Sequence, residues 1–449
     1  MHKVFTPILL LALCFTACKK EDNPMPLGPV TNTETRQWIL DSLRLLYYWE
    51  AGLPHNAMQS NLAASPYFYS LLHPSDPYSA IYNPNEPNTR PTNFLYTFGM
   101  HYSVVPVNGL QVGVVELVIP GGTAANNGFA RGLCFSKIND QVLTPENAAT
   151  LTQTLLTART GHFTLLKRDF SADSITLMLN GATQGENPIY VTRTFTVGGR
   201  KVGYLFYNSF NDAYNTNLLQ SFRAFKNNGV NELILDLRYN NGGSVAAAGI
   251  MAAMVAPGVQ ENSNFVGYTG NKKIGHQLLT YQQIMRAVES GQPYTLSQLQ
   301  DARLQLPRIF ILCTKRTMSA AELLINNLPV HMNVVTIGET THGKDVGAII
   351  VRDLRVPQRI PYIMLPIAYK LSNANGQGNY DRGITPTYSV NELDHLPLLT
   401  LGDEKDVLIA KALQLIGGQA RVQNTLLPIP RARLLSTQSD GLPIVLPVR

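Results

Sequence analysis

The sequence predicts a multidomain α+β chain, in which a small N-terminal helical domain and a β domain precede an α/β core. Three observations carry this. The 449 residues exceed what one hydrophobic core sustains. The apolar pattern changes along the chain, from helical spacing near the start, through short β-rich runs, to buried strands alternating with helices. Hydrophobic residues at 45% against 15% charged give a globular composition rather than a disordered one.

Residues 1–17 read as a targeting segment: basic His2 and Lys3, then the apolar run VFTPILLLALCF, too short to span a membrane comfortably. The run ends in FTAC, which resembles a bacterial lipobox with Phe15 where Leu is usual. That resemblance implies acylation of Cys18 and anchoring to a membrane through an N-terminal lipid. An ordinary secretory signal with Cys18 as bystander is the alternative. Residues 18–31, rich in Pro and Asn, then form a tether. Their KKED start resembles the acidic tags that send some lipoproteins of Bacteroides-like bacteria to the outer surface. The expected location is the bacterial cell envelope, on the periplasmic or the outer-surface face of the outer membrane.

Residues 32–95 form the helical domain. Ile39, Leu43 and Leu46 recur at helical spacing up to Gly52 and Pro54, and SPYFYSLLHPSDPYSAIY continues the domain with aromatic residues that read as packing. Residues 96–182 carry the strand-like runs MHYSVVPV, LQVGVVELVI, FSKINDQVL and HFTLLKR, with ENAATLTQTLLTA as a helix. The stretch IPGGTAANNGFARGLCFSKINDQVL resembles a PDZ domain, with Leu133 where Asp is common and Asp140 where Gly is common. The resemblance implies strand addition of an extended peptide, with a backbone nest at Phe98 and Gly99 for a carboxylate. The alternative is a small β domain without a ligand.

Residues 183–420 are the core. KVGYLFYNSF, ELILDLR, RIFILCT and VVTIGE read as strands and SVAAAGIMAAMVA and AAELLINNL as helices, which argues for a mainly parallel sheet with crossover helices. YTLSQLQDARLQL, within the weakly patterned stretch 259–306, reads as a further helix capping the site or forming an interface. Residues 421–449 are a C-terminal tail.

Composition also excludes. A net charge of +6 without a Lys/Arg run gives nucleic acid no electrostatic footprint. Once Cys14 leaves with the signal and Cys18 takes the lipid, Cys134 and Cys313 remain, too few for a disulfide framework. Cys313 reads as a small buried hydrophobe. The nine His residues show no metal-ligand spacing, so neither a metal nor another cofactor is expected.

In an open α/β sheet, sites gather at the carboxyl ends of the strands. Three loops stand there: NNGGS after ELILDLR, KRTMSAAE after RIFILCT and TTHGKD after VVTIGE. Together they offer the minimum for acyl transfer, namely an oxyanion site, a nucleophile and a base. Ser319 sits between a strand and a helix N-terminus, where negative charge is favoured. The Ala320 amide and the turn at Gly242 and Gly243 are the candidate oxyanion donors. Lys344 is the candidate base, provided burial keeps its amine neutral, and His342 is its rival.

DLRYNNGG, MSAAE and GKDVG, following a PDZ-like domain, resemble the C-terminal processing, or tail-specific, serine peptidases of S41 type. GNYDRGITPTY resembles the Gly-Ile-x-Pro segment that follows their catalytic core. The resemblance implies a Ser319–Lys344 dyad on an α/β core similar to the crotonase and Clp protease architecture, and protein or peptide substrates cleaved through an acyl-enzyme. Many members place a Gln four residues after the Lys; this chain has Ala348. Glu322, one turn beyond Ser319, either contributes to the site or is a glutamate placed by the helix dipole.

Two other readings compete. GETTHGKD opens like a phosphate-binding G-x-x-x-x-G-K loop, but Asp345 stands where Ser or Thr must hold magnesium. A catalytically inactive PDZ and peptidase-like binding protein of the envelope is the other, kept open by Ala348.

Overall fold

The computed structural model describes residues 28–55, 61–91, 93–182, 184–418 and 445–446. The lipobox and Cys18 lie outside them.

Helix α1 (Asn32–Leu46) starts at Thr31, whose side chain accepts the Glu34 N–H, and buries Ile39, Leu40 and Leu43. With α2 (Ala64–Ser70) it encloses Tyr47, Tyr67 and Phe68. This region is not purely helical: strand β1 (Ala80–Tyr82) pairs antiparallel with Ile363–Leu365 of the core, and Met364 enters the same apolar cluster. A three-residue strand is too short for alternation to declare it.

The β domain opens one helix earlier than its first strand. Phe94 and Phe98 of α3 (Phe94–Phe98) sit in its core with Phe135 and Phe163. Strands β2 (Met100–Val107), β3 (Leu110–Val118), β4 (Cys134–Ile138), β5 (Gln141–Val142), β6 (Thr160–Leu166) and β7 (Ala172–Asn180) form one sheet. Helices α4 (Thr123–Asn126) and α5 (Ala148–Ala158) interrupt them. Strand β2 lies at the sheet edge, and its Tyr102 hydroxyl bonds Thr152 of α5.

In the core, β8 (Ile189–Val197) and β9 (Arg200–Tyr207) are antiparallel. From β9 the sheet is parallel through β10 (Glu232–Asp236), β13 (Arg308–Cys313), β14 (Asn333–Gly338) and β18 (Tyr388–Ser389), the mainly parallel arrangement expected. Helices α6 (Asn215–Asn227), α7 (Val245–Val255), α9 (Ala320–Asn327) and α10 (Val407–Gly417) accompany it, and every residue of α7 is buried. A second sheet runs in the order β12 (His276–Thr280), β11 (Asn264–Thr269), β17 (Ile367–Asn373), β15 (Val346–Ile349) and β19 (Val445–Leu446), with α8 (Tyr281–Arg286) following β12. The strand at 363–365, β16 (Ile363–Leu365), is the partner of β1.

The helix expected over YTLSQLQDARLQL reduces to a single 3-10 turn at Ser297–Leu299. Its apolar residues Leu299, Ala302 and Leu306 are buried, but the Leu304 and Leu306 amides donate to the Met254 and Val255 carbonyls at the end of α7. Tertiary hydrogen bonds thus replace the intrahelical ones. The β domain is fastened to the core by Arg131, which pairs with Glu392 at 2.6 Å beside the fully buried Arg238, itself bonded to Asp236 and Asp406.

Candidate active site

The loops after β10, β13 and β14 meet at one edge of the parallel sheet, as the strand-end rule requires. Ser319 immediately precedes α9, with φ 65° and ψ −120°, a left-handed backbone unusual for a residue with a Cβ. Its side chain is fully buried, and among the described residues its hydroxyl makes no hydrogen bond.

Gly242 is the neighbour that demands glycine. A Cβ there would lie 2.5 Å from the Ser319 Cβ and 2.9 Å from the Ala320 nitrogen, with φ already at 100°. The Gly242 amide, however, donates to Asn240 Oδ1 at 2.8 Å, and its carbonyl accepts the Phe210 N–H. Of the glycine pair, Gly243 therefore retains an uncommitted N–H, and the Ala320 amide is likewise unused among the described residues. Beside this turn opens a cleft of about 200 Å³ lined by Tyr96, Ser209, Asp212, Gly243 and Glu289. Burial and the nearby Asp212 push the Glu289 carboxyl up to about 7.

Lys344 is 0% exposed, and burial lowers its amine to about 7 against the opposing pull of Asp76 and Glu322. His342 is exposed, its ring edge-on to Tyr78. Asp345 is buried beside Lys370 at 3.3 Å, and Ala348 is fully buried in β15.

Glu322 joins the two loops. Its Oε2 accepts the Ser319 N–H at 2.9 Å and the Lys344 N–H at 2.8 Å, while Oε1 accepts the Gly343 N–H at 2.6 Å and the Thr341 hydroxyl at 2.5 Å. The carboxyl is buried, which raises its pKa against the lowering effect of these donors. Glu322 is thus more than a dipole-placed glutamate.

The sequence reading missed Asp76 and Tyr78, in the stretch read as packing. The Tyr78 ring covers the Lys344 ammonium at 4.7 Å from its centroid. Its loop is fixed by Asp76, which accepts the Tyr47 hydroxyl at 2.8 Å and the Ser79 and Tyr78 amides at 2.9 and 3.0 Å. An acid between two prolines, HPSDPYS, was the available signal for a structured loop.

Phe98 is buried in the β-domain core, and Gly99, at φ 80°, caps α3 with its amide donated to Leu95 at 2.7 Å. The amide at Gly99 is therefore spent on the helix end. Cys134 and Cys313 are buried free thiols, and burial pushes each up to about 12.

Comparison with known proteins falls on these same loops. Residues 201–390 match the model of peptidase family S41. A carboxyl-terminal-processing protease of Picosynechococcus sp. (strain ATCC 27264 / PCC 7002 / PR-6) is 30% identical over 159 residues, 35% of this chain and 32% of that protein. The match thus spans about a third of that relative's length. The crystal structure of an S41 protease candidate from Bacteroides fragilis NCTC 9343 aligns with a TM-score of 0.67 at 26% identity, over 85% of this chain and 97% of that one. The photosystem II D1 C-terminal processing protease shares the fold, with a TM-score of 0.51 at 16% identity over 88% and 99% of the two chains. The loops bearing Gly242, Ser319 and Lys344 all lie inside residues 201–390, the span that matches peptidase family S41.

Proposed function

We propose that the chain is a serine endopeptidase in which Ser319 is the nucleophile and Lys344 the general base, acting on unfolded or C-terminal protein segments. The observation that carries this reading is the state of Lys344. Its amine is completely buried and lowered to about 7, and its backbone is tied through Glu322 to that of Ser319. A buried lysine without a task would be a net cost to the fold.

In the reaction the Ser319 hydroxyl gives its proton to the neutral Lys344 amine as Oγ bonds the scissile carbonyl carbon. The oxyanion is received by the Ala320 and Gly243 amides. The C–N bond then breaks, the leaving amine takes the proton from Lys344, and an acyl-Ser319 ester remains. Water attacks the ester with Lys344 again as base, releasing a carboxylic acid and restoring the hydroxyl.

On this reading the β domain is a PDZ-like module that presents or admits the substrate chain, its edge strand β2 being the surface for strand addition. The α/β core resembles the crotonase and Clp protease architecture. A lipid on Cys18 would hold the enzyme at the cell envelope. The resting serine also favours one other reading, an inactive binding protein. Hydrolysis of casein by the chain and by its Ser319→Ala and Lys344→Ala variants separates the two. The peptidase reading expects turnover that either substitution abolishes; turnover unchanged by either one sinks it.

A further inference from the structure

Leu354 and Val356 are each 89% exposed, whereas every other exposed large apolar side chain among the described residues stays at 56% or below. Both lie on the loop that joins β15 to β16, and β15 begins two residues beyond Lys344. The loop is firmly braced. The Asp353 carboxylate accepts the Arg355, Arg359 and Ile360 amides at 3.2, 3.0 and 2.8 Å, and the Arg355 guanidinium at 2.8 and 2.9 Å. Arg355 and Arg359 also pair with Glu34 of α1, at 2.7 and 3.3 Å. These bonds fix the backbone in a form that holds Leu354 and Val356 out in water, with Pro357 exposed beside them. A lone exposed leucine needs no explanation, but an apolar tip on a braced loop does.

We propose that this loop is a membrane-docking tip, in which Leu354 and Val356 enter the boundary between headgroups and acyl chains of a phospholipid bilayer while arginines meet the phosphates. The charge fits an anionic lipid surface. Arg352 is exposed and the Arg355 side chain is 38% exposed, while the Asp353 carboxylate is buried, so the loop turns cations outward around its apolar tip. A groove on another protein would take an apolar tip as well, but the position of the loop favours lipid. The described chain starts at Gly28, whose carbonyl accepts the Arg359 guanidinium of this loop at 3.3 Å. Cys18, the proposed lipid site, stands ten residues earlier, and ten residues reach at most about 35 Å. A lipid on Cys18 therefore holds the foot of the loop within that distance of the bilayer. Insertion of the tip rests on the loop alone; the lipid belongs to the proposed function and adds to it.

The test uses the 449-residue chain with Cys14→Ala and Cys18→Ala, in which the remaining thiols, Cys134 and Cys313, are buried. A nitrobenzoxadiazole dye is attached at Leu354→Cys or, as control, at Val142→Cys, a position 56% exposed on β5 of the β domain. Whatever else attaches the chain to a vesicle, the dye reports its own surroundings. On vesicles of phosphatidylethanolamine and phosphatidylglycerol, the dye at 354 should brighten, shift to the blue and be quenched by acyl-chain bromine, and the dye at 142 should do none of these. Val356→Asp should weaken the response in lipid titration about tenfold, and Arg352→Gln about fivefold at low salt. Both side chains are exposed, so the thermal midpoint without vesicles should stay unchanged. No response at 354, an equal response at 142, or a response indifferent to both substitutions overturns the inference. Insertion of the tip by a chain whose Cys18 takes no fatty acid in cells would uphold the docking and overturn the lipid anchor instead.

Discussion

The backbone N–H groups of Ser319 and Lys344 converge on one oxygen of Glu322, at 2.9 and 2.8 Å, so a single carboxylate sets the spacing of two loops that follow different strands. Glu322→Gln keeps the shape but replaces one acceptor by a donor facing N–H groups. It should lower kcat by about 10- to 100-fold with little change in KM, because a displacement of about 1 Å between reacting groups costs that much. Glu322→Ala leaves buried donors unpaired and should destabilise the fold by about 3–5 kcal/mol in urea unfolding. Wild-type kcat in Glu322→Gln would show that the spacing is set elsewhere.

Lys344 should impose the acidic limb of activity. With its amine at about 7, the neutral fraction that can accept the serine proton falls below that pH, and kcat/KM should decline toward acid with an apparent pKa near 7. The same burial has a stability consequence of fixed sign. A lysine whose folded pKa lies below its unfolded value binds more protons when unfolded, between about 7 and the ordinary lysine value of 10.5. Stability therefore rises with pH across that window, and the full penalty of about 5 kcal/mol is felt below it. Lys344→Met should raise the unfolding midpoint at pH 7 while abolishing turnover. A destabilised Lys344→Met would mean that the amine is a structural partner rather than a buried liability.

Tyr78 should tune that limb. Its ring packs over the fully buried Lys344 amine; opening the site to water in Tyr78→Ala should outweigh the lost cation–π contact, return the amine toward its ordinary value and move the acidic limb about one pH unit upward. Tyr78→Phe retains the ring and should leave the limb in place. A pH profile of kcat/KM for the two variants decides this, and identical profiles would remove Tyr78 from the site.

The reach of the sequence follows from how local each signal is. The loops that carry Ser319, Lys344 and the glycine turn were legible because long apolar strands announce a parallel sheet, and the sheet rule names the loops at its carboxyl ends, while the choice of Lys344 within its loop leaned on the family resemblance. Gly242 was legible as a glycine turn but not in its bonding: only coordinates show its amide bonded to Asn240, which leaves Gly243 as the proposed donor. Tyr78 and Asp76 were not legible, because a ring that touches Lys344 from the helical domain leaves no local trace beyond an aromatic-rich loop. Strands β1 and β19 are too short for periodicity, and each pairs with a partner remote in sequence.

Gly242→Ala should silence the enzyme without unfolding it. The added Cβ would meet the Ser319 Cβ at 2.5 Å and the Ala320 nitrogen at 2.9 Å, so the proposed nucleophile and a proposed oxyanion donor must both move. Loss of one such donor costs about 10²–10³ in kcat, and a loss of at least that size is expected. Gly258→Ala is the control for backbone strain alone, since it has φ 69° with nothing within 4 Å of its added Cβ. A Gly242→Ala enzyme that retains more than a tenth of its kcat would exclude so close an approach.

Arg316 joins the Ser319 loop to the β domain. Three residues before Ser319, its guanidinium donates to Glu116 Oε2 at 3.0 Å and to the Tyr102 carbonyl on edge strand β2, also at 3.0 Å. Glu116 is 3% exposed, and burial holds its pKa up despite the arginine. Arg316→Ala therefore strands a buried carboxyl and should cost about 3–5 kcal/mol. Arg316→Ala with Glu116→Ala removes both members, so its cost should fall short of the sum of the single variants by about 0.5–3 kcal/mol. Strict additivity in urea unfolding would mean that the contact does not couple the domains. If it does couple them, the double variant should regain stability but not kcat, because the loop preceding Ser319 has lost its anchor on the β domain.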